Sequence, residues 1–78
     1  MSHFYEISQR LKEIISQQHT KEKILDKDIA IALKLNPQYY AVIKRREKIP
    51  YQAIALFCQK YRVSMNWILL KQKPKYLT

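Results

Sequence analysis

The segment from Asp26 to Arg46, DKDIAIALKLNPQYYAVIKRR, leaves this chain few ways to fold. It reads as two short helices joined by a tight turn. Asp26 is a good N-cap for the first, and Asp28 adds negative charge to its opening turn, where the helix dipole favours it. Leu25, just before the cap, is placed to pack back on Ala30 as a hydrophobic staple. Asn36 caps the second helix. Pro37 takes its first position, where a missing N–H has no helical partner to lose. Ile29, Ala30, Leu33, Leu35, Tyr40 and Ile43 are apolar at the positions that fill the space beneath such a pair. Ala30 falls where the helices approach closely. Lys34 falls in the turn, which wants a left-handed backbone; a side chain there costs about 1 kcal/mol.

The chain contains no glycine. Helix ends must therefore stop without the residue that stops them most cheaply. No period-2 alternation is long enough to suggest a strand, so the expected class is all-α. Ser2 caps a first helix over about residues 3–17, with Phe4, Ile7, Leu11, Ile14 and Ile15 on one face. Residues 18–25 form a connection, with room for an extra helical turn from Thr20. Ile49-Pro50 opens a fourth helix running to about Tyr61, its buried stripe being Ala53, Ile54, Phe57, Cys58 and Tyr61. Ser64 caps a short fifth helix carrying Trp67, Ile68 and Leu70. The expected organisation is one domain over 1–70 and a loose basic tail over 71–78.

A chain of 78 residues buries only about 60% of its unfolded surface, so a few apolar side chains must make the core. Its longest apolar run, Ala53 to Cys58, falls well short of the roughly 18 residues of a spanning helix. MSHFYEISQR does not read as a signal peptide. A lone cysteine suits a reducing compartment. The expectation is a cytoplasmic protein, nucleoid-associated if bacterial or else phage-encoded, with no membrane partner.

The formal net charge is +9, and its placement is uneven. Residues 1–26 hold Arg10, Lys12, Lys21 and Lys23 against Glu6, Glu13, Glu22 and Asp26. Residues 27–78 hold eleven Lys or Arg against Asp28 and Glu47 alone. The excess begins where the two-helix pattern begins, which favours a polyanionic partner.

From Asp26 through Leu70 the chain resembles the helix-turn-helix domain of phage repressors of the lambda CI type. IPYQAIALFCQKYRVSMNWILL, residues 49–70, carries the likeness most clearly. A similar Ile-Pro-Tyr opens a helix after the recognition helix in that family, and a similar Ser-x-x-Trp-Ile/Leu-Leu closes the domain. Lys34 stands where the family's turn glycine is usual, and Ile43 where Trp is frequent. The connection between the first two helices is also several residues longer. The resemblance implies a compact five-helix lambda repressor-like fold with the helix-turn-helix at helices 2–3. It further implies sequence-specific binding of a double-stranded DNA operator, often as a homodimer on a two-fold site.

In that family the first exposed residues of the recognition helix meet base edges. Carried over, these are Asn36, Gln38, Tyr39 and Val42. Gln pairs bidentately with adenine N6 and N7, and Val touches a thymine methyl. A Tyr hydroxyl donates to phosphate. Lys27, Lys44, Arg45, Arg46 and Lys48 are placed for phosphates, although a solvated helix end would show the same run. Trp67, Ile68 and Leu70 are the apolar candidates for a dimer contact, with a core role as the plainer reading.

His3, His19 and Cys58 are scattered, whereas a zinc site needs about four close ligands. There is no paired-carboxylate setting, no Gly-rich phosphate loop and no nucleophile with a base beside it. The sequence thus points away from an enzyme, a metal, a cofactor or a small-molecule ligand. The expected function is a transcriptional regulator, a repressor of phage or prophage type. The alternative is a protein-interaction module on the same scaffold, an antitoxin or anti-repressor adaptor. That alternative calls for exposed apolar residues and fewer cations on helix 3.

Overall fold

The computed structural model describes residues 4–18 and 23–77. They form five helices: α1 (Phe4–Gln18), α2 (Asp26–Ala32), α3 (Pro37–Arg45), α4 (Tyr51–Tyr61) and α5 (Met65–Leu70). No β-strand occurs among the described residues, and the class is all-α. α1 packs on α2 and α5, α2 on α3, and α4 on α5. Ser2, expected to cap α1, and Thr20, expected to open an extra helical turn, lie outside the described residues.

Phe4, Ile7, Leu11, Ile14 and Ile15 recur at helical spacing on α1, and all five are buried. They meet Ile29, Ala30 and Leu33 of α2, Tyr40 and Ile43 of α3, and Ile54, Phe57 and Cys58 of α4 in one core. Ser8 is buried among them, its hydroxyl donating to the Tyr5 carbonyl at 2.7 Å. Arg10 fastens α1 to α5. Its Nη1 donates to the carbonyl of Ile68 at 2.9 Å, near the end of α5 where carbonyls lack helical partners. Glu6, one turn earlier on α1, lies 3.7 Å from the same guanidinium.

α2 begins one residue earlier than the sequence suggested. Leu25, not Asp26, occupies the cap position, with extended backbone. Asp28 makes the difference: its carboxylate accepts the Leu25 N–H at 2.8 Å from the third helical position. This reaches back to an amide that a cap side chain does not serve. The staple moves accordingly. Leu25 is exposed, and Ile24 is the buried residue ahead of the cap.

The ends of α2, α3, α4 and α5 are solved without glycine in one way. Lys34, Glu47, Arg62 and Lys71 have φ of 58°, 52°, 55° and 58°. Each follows the end of a helix in the left-handed region that glycine usually fills. After α2, Leu35 N–H bonds to Ala30 C=O at 2.8 Å and Lys34 N–H to Ile31 C=O at 2.9 Å. After α3, Lys48 N–H bonds to Ile43 C=O at 2.8 Å and Glu47 N–H to Lys44 C=O at 3.1 Å. Both are Schellman ends, and their hydrogen bonds satisfy carbonyls that would otherwise be orphaned.

Ser64 caps α5, its Oγ accepting Trp67 N–H at 3.3 Å. Trp67 and Ile68 are buried in the core, so neither is available for a dimer contact. Leu70 alone of the three candidates is exposed.

The stretch after Lys71 does not hang free as expected. It returns to the α4–α5 corner, where Val63 and Tyr76 form an antiparallel bridge. Ser64 N–H bonds to Lys75 C=O and Leu77 N–H to Arg62 C=O, each at 2.8 Å. Lys75 pairs with Glu13 of α1 and its ammonium sits 4.8 Å from the Trp67 ring centre. The Tyr76 hydroxyl bonds to Gln17. The three lysines suggest a solvated tail, but Lys75 and the Tyr76 hydroxyl find partners on α1 and α5. The radius of gyration, 11.6 Å, matches the roughly 11.5 Å expected of a compact chain this long.

Candidate nucleic-acid interface

α3 is held at both ends by local chemistry. Asn36 has extended backbone, and its Oδ1 accepts the Gln38 N–H at 2.7 Å. Pro37 follows at the first helical position. Tyr40 and Ile43 anchor the helix from below, with 1% and 3% exposure. The Tyr40 ring lies 5.6 Å from that of Phe4, tilted by 55°. Its hydroxyl is buried and makes no hydrogen bond among the described residues. Burial, and then the negative charge of Asp26, hold that hydroxyl above the ordinary tyrosine range.

At about 100° per residue, the face opposite Tyr40 and Ile43 carries Gln38, Ala41, Val42 and Arg45. Gln38, Ala41 and Arg45 are exposed, and Val42 is half-buried. Ala41 was not singled out in the sequence, although the same periodicity that buries Tyr40 turns it outward. Tyr39 is half exposed and sits on one flank, sharing a hollow with Pro50, Tyr51 and Gln52 at the start of α4. It is therefore beside the Gln38 face and not at its centre. Asn36 is exposed, but its side-chain oxygen is committed to the cap, which leaves its amide N–H groups for any ligand.

The basic residues divide. Lys27, Arg45, Arg46 and Lys48 are exposed around the two ends of the α2–α3 pair. Lys44 lies on the other flank of α3, where it forms an ion pair with Asp26 of α2. That pairing removes Lys44 from the set of cations facing solvent alone. Glu47 is the single acid within residues 44–48.

Among the described residues no three or more His, Cys, Asp or Glu side chains come together, and no helix is long and apolar enough to cross a membrane. His3 and His19 lie outside those residues. Cys58 is buried, and burial pushes its thiol up to about 11, which keeps it protonated and unreactive at neutral pH. Compared with protein-family models, curated proteins and solved structures, the chain matches none.

Proposed function

We propose that this chain is a sequence-reading, double-stranded DNA-binding transcriptional regulator that sets α3 into the major groove. One observation carries the reading. α3 turns an exposed mixed face, Gln38, Ala41 and Arg45 with Val42 beside them, away from the core, and this face holds a cation and no carboxylate. Exposed cations stand at its margins, which is the arrangement phosphate contacts require.

The α2–turn–α3 geometry supports the resemblance to helix-turn-helix repressors of the lambda CI type. Ala30 is wholly buried, and α2 packs on α3. Lys34 adopts the left-handed backbone that glycine supplies in that family. Gln38 would pair with an adenine edge, while Ala41 and Val42 would offer methyl groups to thymine. Arg45, Arg46, Lys48 and Lys27 would hold phosphates. Tyr39 would reach the backbone from the α4 side. One such helix reads few base pairs, so a homodimer on half-sites about 34 Å apart is the expected working form. Its contact must lie outside Trp67 and Ile68. The reading is of a cytoplasmic binding module and not an enzyme.

Selection of sites from random duplexes at about physiological salt tests the proposal. A two-fold motif is the expected outcome. Recovery of unrelated sequences, with affinity that tracks only salt, would refute sequence reading.

A further inference from the structure

Four of the nine large apolar or aromatic side chains exposed among the described residues gather in one place. Ile31, Leu56, Tyr51 and Tyr39 are 65%, 59%, 55% and 51% exposed, and they fall along one seam between α2 and α4. Three adjoining hollows of about 420, 170 and 400 Å³ follow that seam. The first and second share Ala32, Lys34 and Lys60. The second and third share Leu33, Lys34, Ala53 and Leu56. Lys34 thus borders all three, and Lys60 borders two. Asp28, bonded to the Leu25 N–H, lies at the far end of the first.

We infer that the α2–α4 groove, with Ile31, Leu56 and Tyr51 along its floor and walls and Lys34 and Lys60 on its border, docks an acidic amphipathic helix of another protein. Length argues for a helix. α4 runs from Tyr51 to Tyr61, so the groove along it is about 15 Å long, nearly three helical turns. A helix lays apolar side chains at i, i+3 or i+4, and i+7, which gives one anchor for each hollow. Charge argues for acid. Lys34 and Lys60 are exposed on the border of the groove and outnumber its one carboxylate, Asp28 at the far end, so carboxylates beside the anchors would meet them. Charge also argues against a second copy of this chain. A two-fold contact through the groove would bring Lys34 and Lys60 of two chains, each with net charge +9, against one another. Gln38, Ala41 and Arg45 line none of the three hollows, so the centre of the α3 face stays open when the groove is filled, and Tyr39, at the third hollow, is the one proposed DNA contact that the partner helix would cover.

Titration of the ¹⁵N-labelled full chain with a synthetic three-turn peptide tests the inference. The probe carries leucines at the three anchor positions and glutamates beside them, and a matched peptide carries lysines in place of the glutamates. The glutamate peptide should shift the amides of Ile31, Lys34, Ala53, Leu56 and Lys60, leaving those of Gln38 and Ala41 in place. Leu56→Glu should weaken it about tenfold or more, and Lys34→Glu with Lys60→Glu should transfer binding to the lysine peptide. Both changes are at exposed side chains, and thermal melts of the variants report that the fold is kept. Shifts centred on Arg45, Arg46 and Lys48 would overturn the inference, as attraction to the basic end of α3. So would equal binding of both peptides, or a dimer of the chain alone that Leu56→Glu dissociates.

Discussion

Lys44, in the last turn of α3, forms an ion pair with Asp26, the first residue of α2. Nearly all of α2 and α3 and the turn between them separate the two residues in sequence, and the contact joins the outer ends of the pair. It also sets a negative charge close to the buried Tyr40 hydroxyl.

Both partners are about half exposed, so the pair should stabilise the fold by less than about 1 kcal/mol. Lys44→Ala is expected to lower the melting temperature by only a few degrees. Its effect on duplex affinity should be smaller than that of Arg45→Ala, because Asp26 already offsets the charge. Melts and salt-dependent titrations of the two variants measure both comparisons. A larger loss of affinity with Lys44→Ala would show that the ion pair opens on DNA.

Gln38→Ala and Arg45→Ala should separate reading from holding. The first is expected to relax preference at one base position, worth about 1–3 kcal/mol. The second should weaken all duplexes alike and flatten the salt dependence. Identical profiles for the two variants would sink the division of roles.

Lys34→Gly should raise stability. A left-handed backbone costs a residue with a Cβ about 1–2 kcal/mol, and glycine gives back roughly 0.5–1 through the looser unfolded chain. A net gain of about 0.5–1 kcal/mol is expected in urea unfolding, with Lys34→Asn between the two. Lys34→Val, with the branched side chain that region tolerates least, should be less stable than the parent.

Tyr40→Phe should be neutral or stabilising by up to about 1 kcal/mol. It keeps the ring against Phe4 and removes a buried hydroxyl that has no partner among the described residues. A chain of this size then melts up to about 4–8 °C higher. A marked loss of stability would mean that the hydroxyl is bonded in solution.

Much of the fold is legible because its signals are local. The α1 stripe, the Asn36 and Ser64 caps and the Tyr40–Ile43 spacing each follow from residues within a few positions. The left-handed turn at Lys34 was legible too, since the neighbouring apolar positions leave it no other place. The α2 cap was misread by one residue because Asp26 and Asp28 both suit a helix start, and only the backward bond from Asp28 decides between them. The tail was misread because its partners, Glu13, Gln17 and Val63, are distant in sequence. At the candidate interface the same distance hid the engagement of Lys44. Periodicity was sufficient to find Ala41, but a methyl group carries no chemical signal of its own.

Cys58 gives the fold a dependence on alkaline pH. Its thiol is raised from the ordinary 9.0 to about 11 by burial. The folded state thus favours the neutral thiol. That preference is fully present below pH about 9 and is lost as pH rises towards about 11. Two pK units correspond to about 2–3 kcal/mol. Cys58→Ala should be less stable at neutral pH but show a shallower decline across this interval, as read by unfolding at a series of pH values. Equal slopes would rule the thiol out as the source.

The bridge between Val63 and Tyr76 has a kinetic meaning. It joins the two ends of the segment that contains α5, so α5 is clasped by the residues on either side of it. Such a segment opens as one cooperative unit and not by fraying from its last residue. The amide protons of Ser64 and Leu77, which bond across the clasp, should then exchange with solvent at one shared opening free energy. Residues 75–77 are in that sense the latch of α5.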